Sequence, residues 1–314
     1  MDVLHPDELD VPVAGGTLRV CRWTGNAADG GASGAPVVVA AHGITANALS
    51  WAAVAQALAG RATLVAPDLR GRAGSRDLPG PYGMAAHADD LVAILDHLGI
   101  TDPVPAVGHS MGGFVAAVAA DRHPDRFSAV LLVDGGVALR TPPGADIDAV
   151  LQAVIGPAMA RLSMTFPTRE AYLDFFRRHP AFAGQFGPAV EAYVLRDLIG
   201  TEPDLRSSCV LEAIRADATD TLATPATIAS VHRLSQPVRL VWARRGMLDE
   251  PQGLYDEARL AAAGLAPGIA EPVKEANHYT ILTGEPGAGL VARHIAELAS
   301  APRPGAAGYV HHGI

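Results

Sequence analysis

One pentapeptide constrains this 314-residue chain more than any other feature: Gly108-His109-Ser110-Met111-Gly112. The residues before it, Val104-Pro105-Ala106-Val107, form an apolar run that reads as a buried strand, and residues 113–120 are small, apolar and helix-like. A serine between them must occupy a sharp strand-to-helix turn, where larger neighbours would collide with the main chain. The turn lifts the hydroxyl above the end of a sheet, and the Met111 N–H, at a helix start, faces any negative charge developing there. Ser110 is therefore the candidate nucleophile and Met111 a candidate oxyanion donor. With 33 glycines in the chain, the pentapeptide alone would be weak; its strand and helix flanks make it informative.

The surrounding pattern agrees. Residues 37–41, 63–66, 104–107, 129–133 and 238–242 read as short strands buried on both faces. Helical spacing fills 51–58, 83–98 and 111–120, so strands and helices alternate as in a mostly parallel sheet flanked by helices. Residues 11–23 read as an early hairpin or edge strand. The rhythm fails from 138 to 235, where helical patterns at 147–162, 168–178, 190–198 and 211–216 replace it. A helix at 251–263, a weak strand at 269–274 and a helix at 290–298 complete the plan. The expected organisation is an α/β core from 1–137 and 236–300, a helical cap at 138–235 and a loose tail at 301–314.

Charge narrows the partners. Lys and Arg total 24 against 33 Asp and Glu, a net charge of -9 with no long basic run, which disfavours nucleic acid and anionic membranes. The opening residues lack the basic and apolar regions of a secretory signal, and no apolar stretch is long enough to span a bilayer. Two cysteines 188 residues apart, Cys21 and Cys209, fit a reduced, cytoplasmic protein. No metal-ligand spacing such as H-E-x-x-H is present, so neither metal nor cofactor is expected.

His42-Gly43-Ile44 ends the strand at 37–41, and the Ile44 N–H is the candidate second oxyanion donor, with Gly43 permitting close approach. Together, AHGITANALSW, PDLRGRAGS, VGHSMGG and the late NHY resemble the α/β-hydrolase superfamily, in particular its esterase-like members with a helical cap. The resemblance in layout spans roughly residues 10–298 and implies the α/β-hydrolase fold. It also implies that the general base comes last in the chain, which points to His278. The acid has two homes in such proteins. After the cap, where the pattern is G-x-x-D, this chain has Ala243-Arg244-Arg245-Gly246, with glycine at the expected aspartate and Asp249 three residues on. At the end of the strand after the nucleophile helix stands Asp134, the preferred acid, with Asp249 the alternative.

A Ser-His-Asp set implies attack on a carbonyl. Phe166, Phe176 and Met159 in the cap, and His42, Asn47 and Trp51 near the oxyanion loop, are candidate substrate contacts. Each also fits ordinary packing or loop bonding. The expectation is hydrolysis of a hydrophobic or aromatic carboxylic ester by a monomer or homodimer. Lactone or carbon-carbon bond hydrolysis is the alternative within catalysis, and an inactive ligand-binding or interaction scaffold the alternative outside it.

Overall fold

The structure is a computed structural model that describes residues 5–26, 34–138, 156, 159–266 and 268–301. The expected helix from residue 147 and the tail beyond Ala301 lie outside the described residues, apart from residue 156 and the helical turn at 159–162.

Eight strands form one sheet in the order β1-β2-β4-β3-β5-β6-β9-β10. The hairpin of β1 (Asp7–Val13) and β2 (Gly16–Trp23) forms an antiparallel edge. It is followed by β4 (Thr63–Pro67), β3 (Val37–Ala41), β5 (Val104–His109), β6 (Phe127–Val133), β9 (Val238–Ala243) and β10 (Ala270–Val273), all parallel. Apolar residues run unbroken along the central strands because both faces are covered. On one face, Val38, Ala40, Val107, Leu131 and Val241 meet α1 (Ala52–Leu58) and α10 (Gly287–Ser300). On the other, Val39, Ala41, Ala106, Val130 and Leu240 meet α2 (Met84–His97) and α3 (Met111–Arg122). The alanine-rich sequence of α3 leaves its inner face flush against the sheet, with Ala116, Ala117, Ala119 and Ala120 buried.

Strand order decides where a site can lie. From β3 the chain steps to β4 on one side, then returns to β5 on the other, so the connections diverge between β3 and β5. In an open α/β sheet the crevice beyond the strand C-termini at such a point is the usual binding place. The register pairs Ala41 with Gly108 and His109 with Val133, so the residues following β3, β5 and β6 emerge level with one another. These are Ile44, Ser110 and Asp134.

Between β6 and β9 lie α4 (Arg169–Arg177), α5 (Pro188–Arg196), α6 (Leu211–Ala223) and α7 (Pro225–Arg233). Two short strands, β7 (Leu198–Ile199) and β8 (Arg206–Ser207), pair between α5 and α6. Helix α7 was not expected from the sequence; it packs on α3, with Val231 in the core cluster of that face. Two ion pairs, one partly and one wholly buried, fasten the inserted helices to the core. Arg196 of α5 reaches Asp68 at 2.8 Å, and Asp217 of α6 reaches Arg72 at 2.5 Å and His87 at 3.0 Å. The remaining helices are α8 (Glu257–Ala262), shorter than the expected 251–263, and α9 (Thr280–Thr283).

Candidate active site

Ser110 holds φ 55 and ψ -122 between β5 and α3, a conformation that side chains rarely adopt. Its neighbours make that possible. A Cβ on Gly108 would lie 1.8 Å from the Gly112 carbonyl oxygen, and one on Gly135 would lie 2.1 Å from that of Ser110. The first is the requirement read from the pentapeptide. The second comes from the loop after β6 and has no counterpart in the local motif.

His278 follows β10 on a loop capped by Asn277, whose Oδ1 accepts from the N–H groups of Tyr279 (3.0 Å) and Thr280 (2.9 Å). The Asn277 amide donates to Ala181 O and Asp249 Oδ1, fixing the loop on its far side. His278 Nδ1 lies 2.6 Å from Asp134 Oδ2, and Asp134 Oδ1 accepts from the Ala243 N–H at 3.0 Å. Asp134 has φ 44, a conformation that aspartate tolerates better than most residues. With a carboxylate on Nδ1, that nitrogen carries the ring proton and Nε2 keeps its lone pair. Asp249 instead binds Arg245 through both oxygens, at 2.7 Å each, and this guanidinium holds its carboxyl below the usual range. It touches the His278 loop only through Asn277.

A second histidine braces the first. His109 Nε2 donates to the His278 carbonyl oxygen at 2.8 Å, with the ring centroids 4.6 Å apart. Burial, followed by the nearby His278, pushes His109 well below the ordinary histidine value. His42 is likewise held down to about 3, chiefly by burial. Its Nδ1 faces Gly43 O and its Nε2 accepts from the Leu69 N–H, so it pins the oxyanion loop and does not line the cavities described below. Both histidines are neutral in the fold and gain protons on unfolding. Their contribution to stability is thus complete above about pH 6.5 and is lost as pH falls below it. For His42 alone the loss by pH 5 is about 2 kcal/mol. Urea unfolding at pH 7.5 and pH 5 is expected to show at least that difference, and His42→Gln to flatten it; equal slopes in both proteins would contradict the assignment.

Ser110, His278, Gly43, Ile44 and His109 share a small cavity of about 40 Å³. Thr45, Tyr193, Met247, His278 and Tyr279 line both it and a larger chamber of about 550 Å³. The chamber wall is aromatic, with Tyr172, Phe175, Phe176 and Phe182 set edge to face. Of the sequence candidates, Phe176 and Asn47 line it, although Asn47 spends its amide on Tyr193 O and on capping Leu49. Three others lie elsewhere for packing reasons. Trp51 is wholly buried in the core, Phe166 bridges Leu205 beneath the aromatic cluster, and Met159 packs beside Ile214 and Ala218. The sequence reading overlooked Arg161, His179 and Tyr193 in the chamber, and Arg72 behind the oxyanion loop.

Arg72 is fully buried. Its Nε donates to Ile44 O at 3.0 Å and its Nη2 lies 3.8 Å from Met111 Sδ, so one guanidinium touches both candidate oxyanion-donor residues. Burial would raise the Asp217 carboxyl, but His87 and Arg72 hold it well below the usual range.

With this geometry in view, the chain belongs to the alpha/beta hydrolase fold family, whose model matches residues 36–283. It is 36% identical to lipase LipV of Mycobacterium tuberculosis over 137 residues, 42% of this chain and 50% of that protein. It is 37% identical over 108 residues to the uncharacterized protein Rv2715 of the same organism, 33% of this chain and 30% of that one. The chain thus spans half or less of the length of these relatives. In fold it resembles E-2-(acetamidomethylene)succinate hydrolase, with TM-score 0.73 and 23% identity over 95% of this chain and all of that one. No group of acidic, histidine or cysteine side chains suited to a metal occurs among the described residues, Cys21 and Cys209 are free thiols, and no described helix is long and apolar enough to cross a membrane.

Proposed function

We propose that this chain is a serine hydrolase that cleaves a carboxylic ester through an acyl-enzyme, with Ser110 as nucleophile, His278 as base and Asp134 as acid. The observation that carries the reading is the 2.6 Å contact of His278 Nδ1 with Asp134, which orients the ring whose other edge shares a cavity with Ser110. His278 Nε2 takes the Ser110 proton as Oγ attacks the carbonyl carbon. The oxyanion so formed accepts from the Ile44 and Met111 N–H groups. His278 then protonates the departing alcohol, and water releases the acid by the same steps in reverse order of roles. Carboxylic ester cleavage agrees with the name of the lipase relative, and the aromatic chamber suits an apolar or aromatic substrate portion. Residues 161–197 supply in this reading much of the wall that selects it.

A fluorophosphonate probe tests the assignment together with turnover of 4-nitrophenyl esters, lactones and β-diketones. Labelling of the parent protein and its loss in Ser110→Ala and His278→Ala are expected. Labelling that persists in Ser110→Ala defeats the nucleophile assignment; β-diketone cleavage with every ester untouched defeats the ester reading.

A further inference from the structure

We propose that Arg161 is an anion-recognition residue of the chamber, and that the substrate carries a carboxylate on the portion seated there. The inference deepens the serine-hydrolase reading and rests on it for the place of the scissile bond.

Arg161 is 6% exposed, lines the 550 Å³ chamber and sits 5.6 Å over the Phe176 ring. A guanidinium among aromatic rings is costly to bury, and its partner Asp197 keeps it charged there. The manner of pairing is informative because the same protein contains a buried pair of the ordinary kind. Arg70 meets Asp90 through a complete fork, Nε–Oδ2 at 2.6 Å and Nη2–Oδ1 at 2.7 Å. Arg161 reaches Asp197 through Nη1 alone, and the same nitrogen lies 3.3 Å from the Tyr172 hydroxyl. Its Nη2 has a contact of 3.4 Å with Thr45 O, longer than a well-formed bond.

Asp197 does not depend on Arg161 for its hydrogen bonds. Its oxygens also accept from Tyr172 OH (2.9 Å), Ser207 Oγ (2.9 Å), Ser208 Oγ (2.8 Å) and Ser208 N (3.1 Å). The carboxylate is anchored by the β8 region, and the guanidinium presents its second nitrogen toward Thr45. Thr45 adjoins Ile44 and lines both cavities, so that nitrogen faces the segment that joins the chamber to the cavity of Ser110.

The other polar groups of the inner chamber are donors or already engaged. His179 Nδ1 accepts from the Ala181 N–H, so its proton is on Nε2, and burial with the charge of Arg161 favours the neutral ring. Asn47 is engaged as described. Glu250, the other carboxylate of the wall, accepts from Leu248 N in the loop after β9. A chamber whose described residues offer donors and a guanidinium that they use incompletely suits a planar acceptor pair, and a carboxylate is the strongest such ligand.

The test compares 4-nitrophenyl monoesters of succinic, glutaric and adipic acid with neutral 4-nitrophenyl esters of matching length, corrected for spontaneous hydrolysis. A charge-assisted contact predicts a preference of about 10- to 100-fold in kcat/KM for at least one acidic ester, expressed mainly in KM. Arg161→Met is expected to bring the kcat/KM ratio of acidic to neutral ester of the same length down to about one, and Arg161→Lys to keep part of the preference. Because Arg161→Met leaves Asp197 without its cation, Arg161→Met/Asp197→Asn is measured beside it. Glutarate and adipate binding to the parent protein and to Arg161→Lys, by calorimetry, gives a readout independent of turnover. Equal use of acidic and neutral esters, or a preference unchanged in folded Arg161 variants, overturns the proposal while leaving the ester reading intact. If no ester is cleaved, the ester reading fails and dicarboxylate binding alone decides the role of Arg161: weaker binding in Arg161→Lys supports it, and no binding to the parent protein overturns it.

Discussion

Asp134→Asn is expected to lower kcat on a 4-nitrophenyl ester by about 10³- to 10⁴-fold with little change in fold, the scale reached when a triad histidine is forced into the wrong tautomer. The carboxylate accepts the Nδ1 proton of His278 at 2.6 Å and is tied in turn to the Ala243 N–H. An amide of the same shape can keep the Ala243 bond while turning its NH₂ toward Nδ1. The imidazole proton then moves to Nε2, and the lone pair needed to receive the Ser110 proton is gone. Asp249→Asn is expected to change kcat by less than about tenfold, because Asp249 meets Arg245 and Asn277 and has no contact with the imidazole. Circular dichroism and melting curves on both variants separate chemistry from folding. A collapse of activity in the Asp249 variant with the Asp134 variant intact would reverse the choice of acid.

The largest stability effect is expected at Arg72. Arg72→Met leaves the Asp217 carboxylate buried with His87 as its remaining charged-group partner, a change on the order of 3 to 5 kcal/mol. It also frees the Ile44 carbonyl, 3.0 Å from Arg72 Nε, and so loosens a proposed oxyanion donor. The two consequences can be told apart. Arg72→Met/Asp217→Leu removes both buried charges and is expected to recover much of the stability, measured by urea unfolding, because the ions were partners rather than independent contributors. Its kcat is expected to stay about 10-fold or more below the parent, since no group then holds Ile44 O. Recovery of kcat along with stability would reduce Arg72 to a structural tie.

These effects differ in how far the sequence announced them. Ser110 was legible because one short segment holds its strand, its helix and both glycines, and Ile44 and Met111 follow directly from strand ends. Asp134 was preferred and Asp249 kept as the alternative, since each is an aspartate after an apolar strand; which of them meets the His278 ring depends on the three-dimensional route of the His278 loop. Gly135 is needed for a carbonyl 25 positions earlier, a requirement no local pattern carries. Arg72 and Arg161 were missed for the same reason. Their partners Asp217, Asp197 and Thr45 are 145, 36 and 116 positions away. In sequence they read as ordinary loop and helix cations. Trp51, Phe166 and Met159 lie outside the linings of both cavities; large apolar side chains serve core and chamber equally well, and composition cannot say which. Helix α7 was invisible as a nine-residue stretch with a modest apolar face, PATIASVHR, until its packing against α3 defined it.

The two ion pairs between the inserted helices and the core bear on traffic through the molecule. Swinging α5 and α6 outward together would part Arg196 from Asp68 and Asp217 from Arg72, at several kcal/mol for each pair by the usual cost of stranding a buried charge. Such an excursion is costly, so the two ion pairs hold these helices against the core. The loop at 246–254 also borders the chamber and carries the exposed Leu248. Under the proposed hydrolase reading, changes in the bulk of that loop are expected to alter which ligands the chamber admits while leaving the sheet beneath it unchanged.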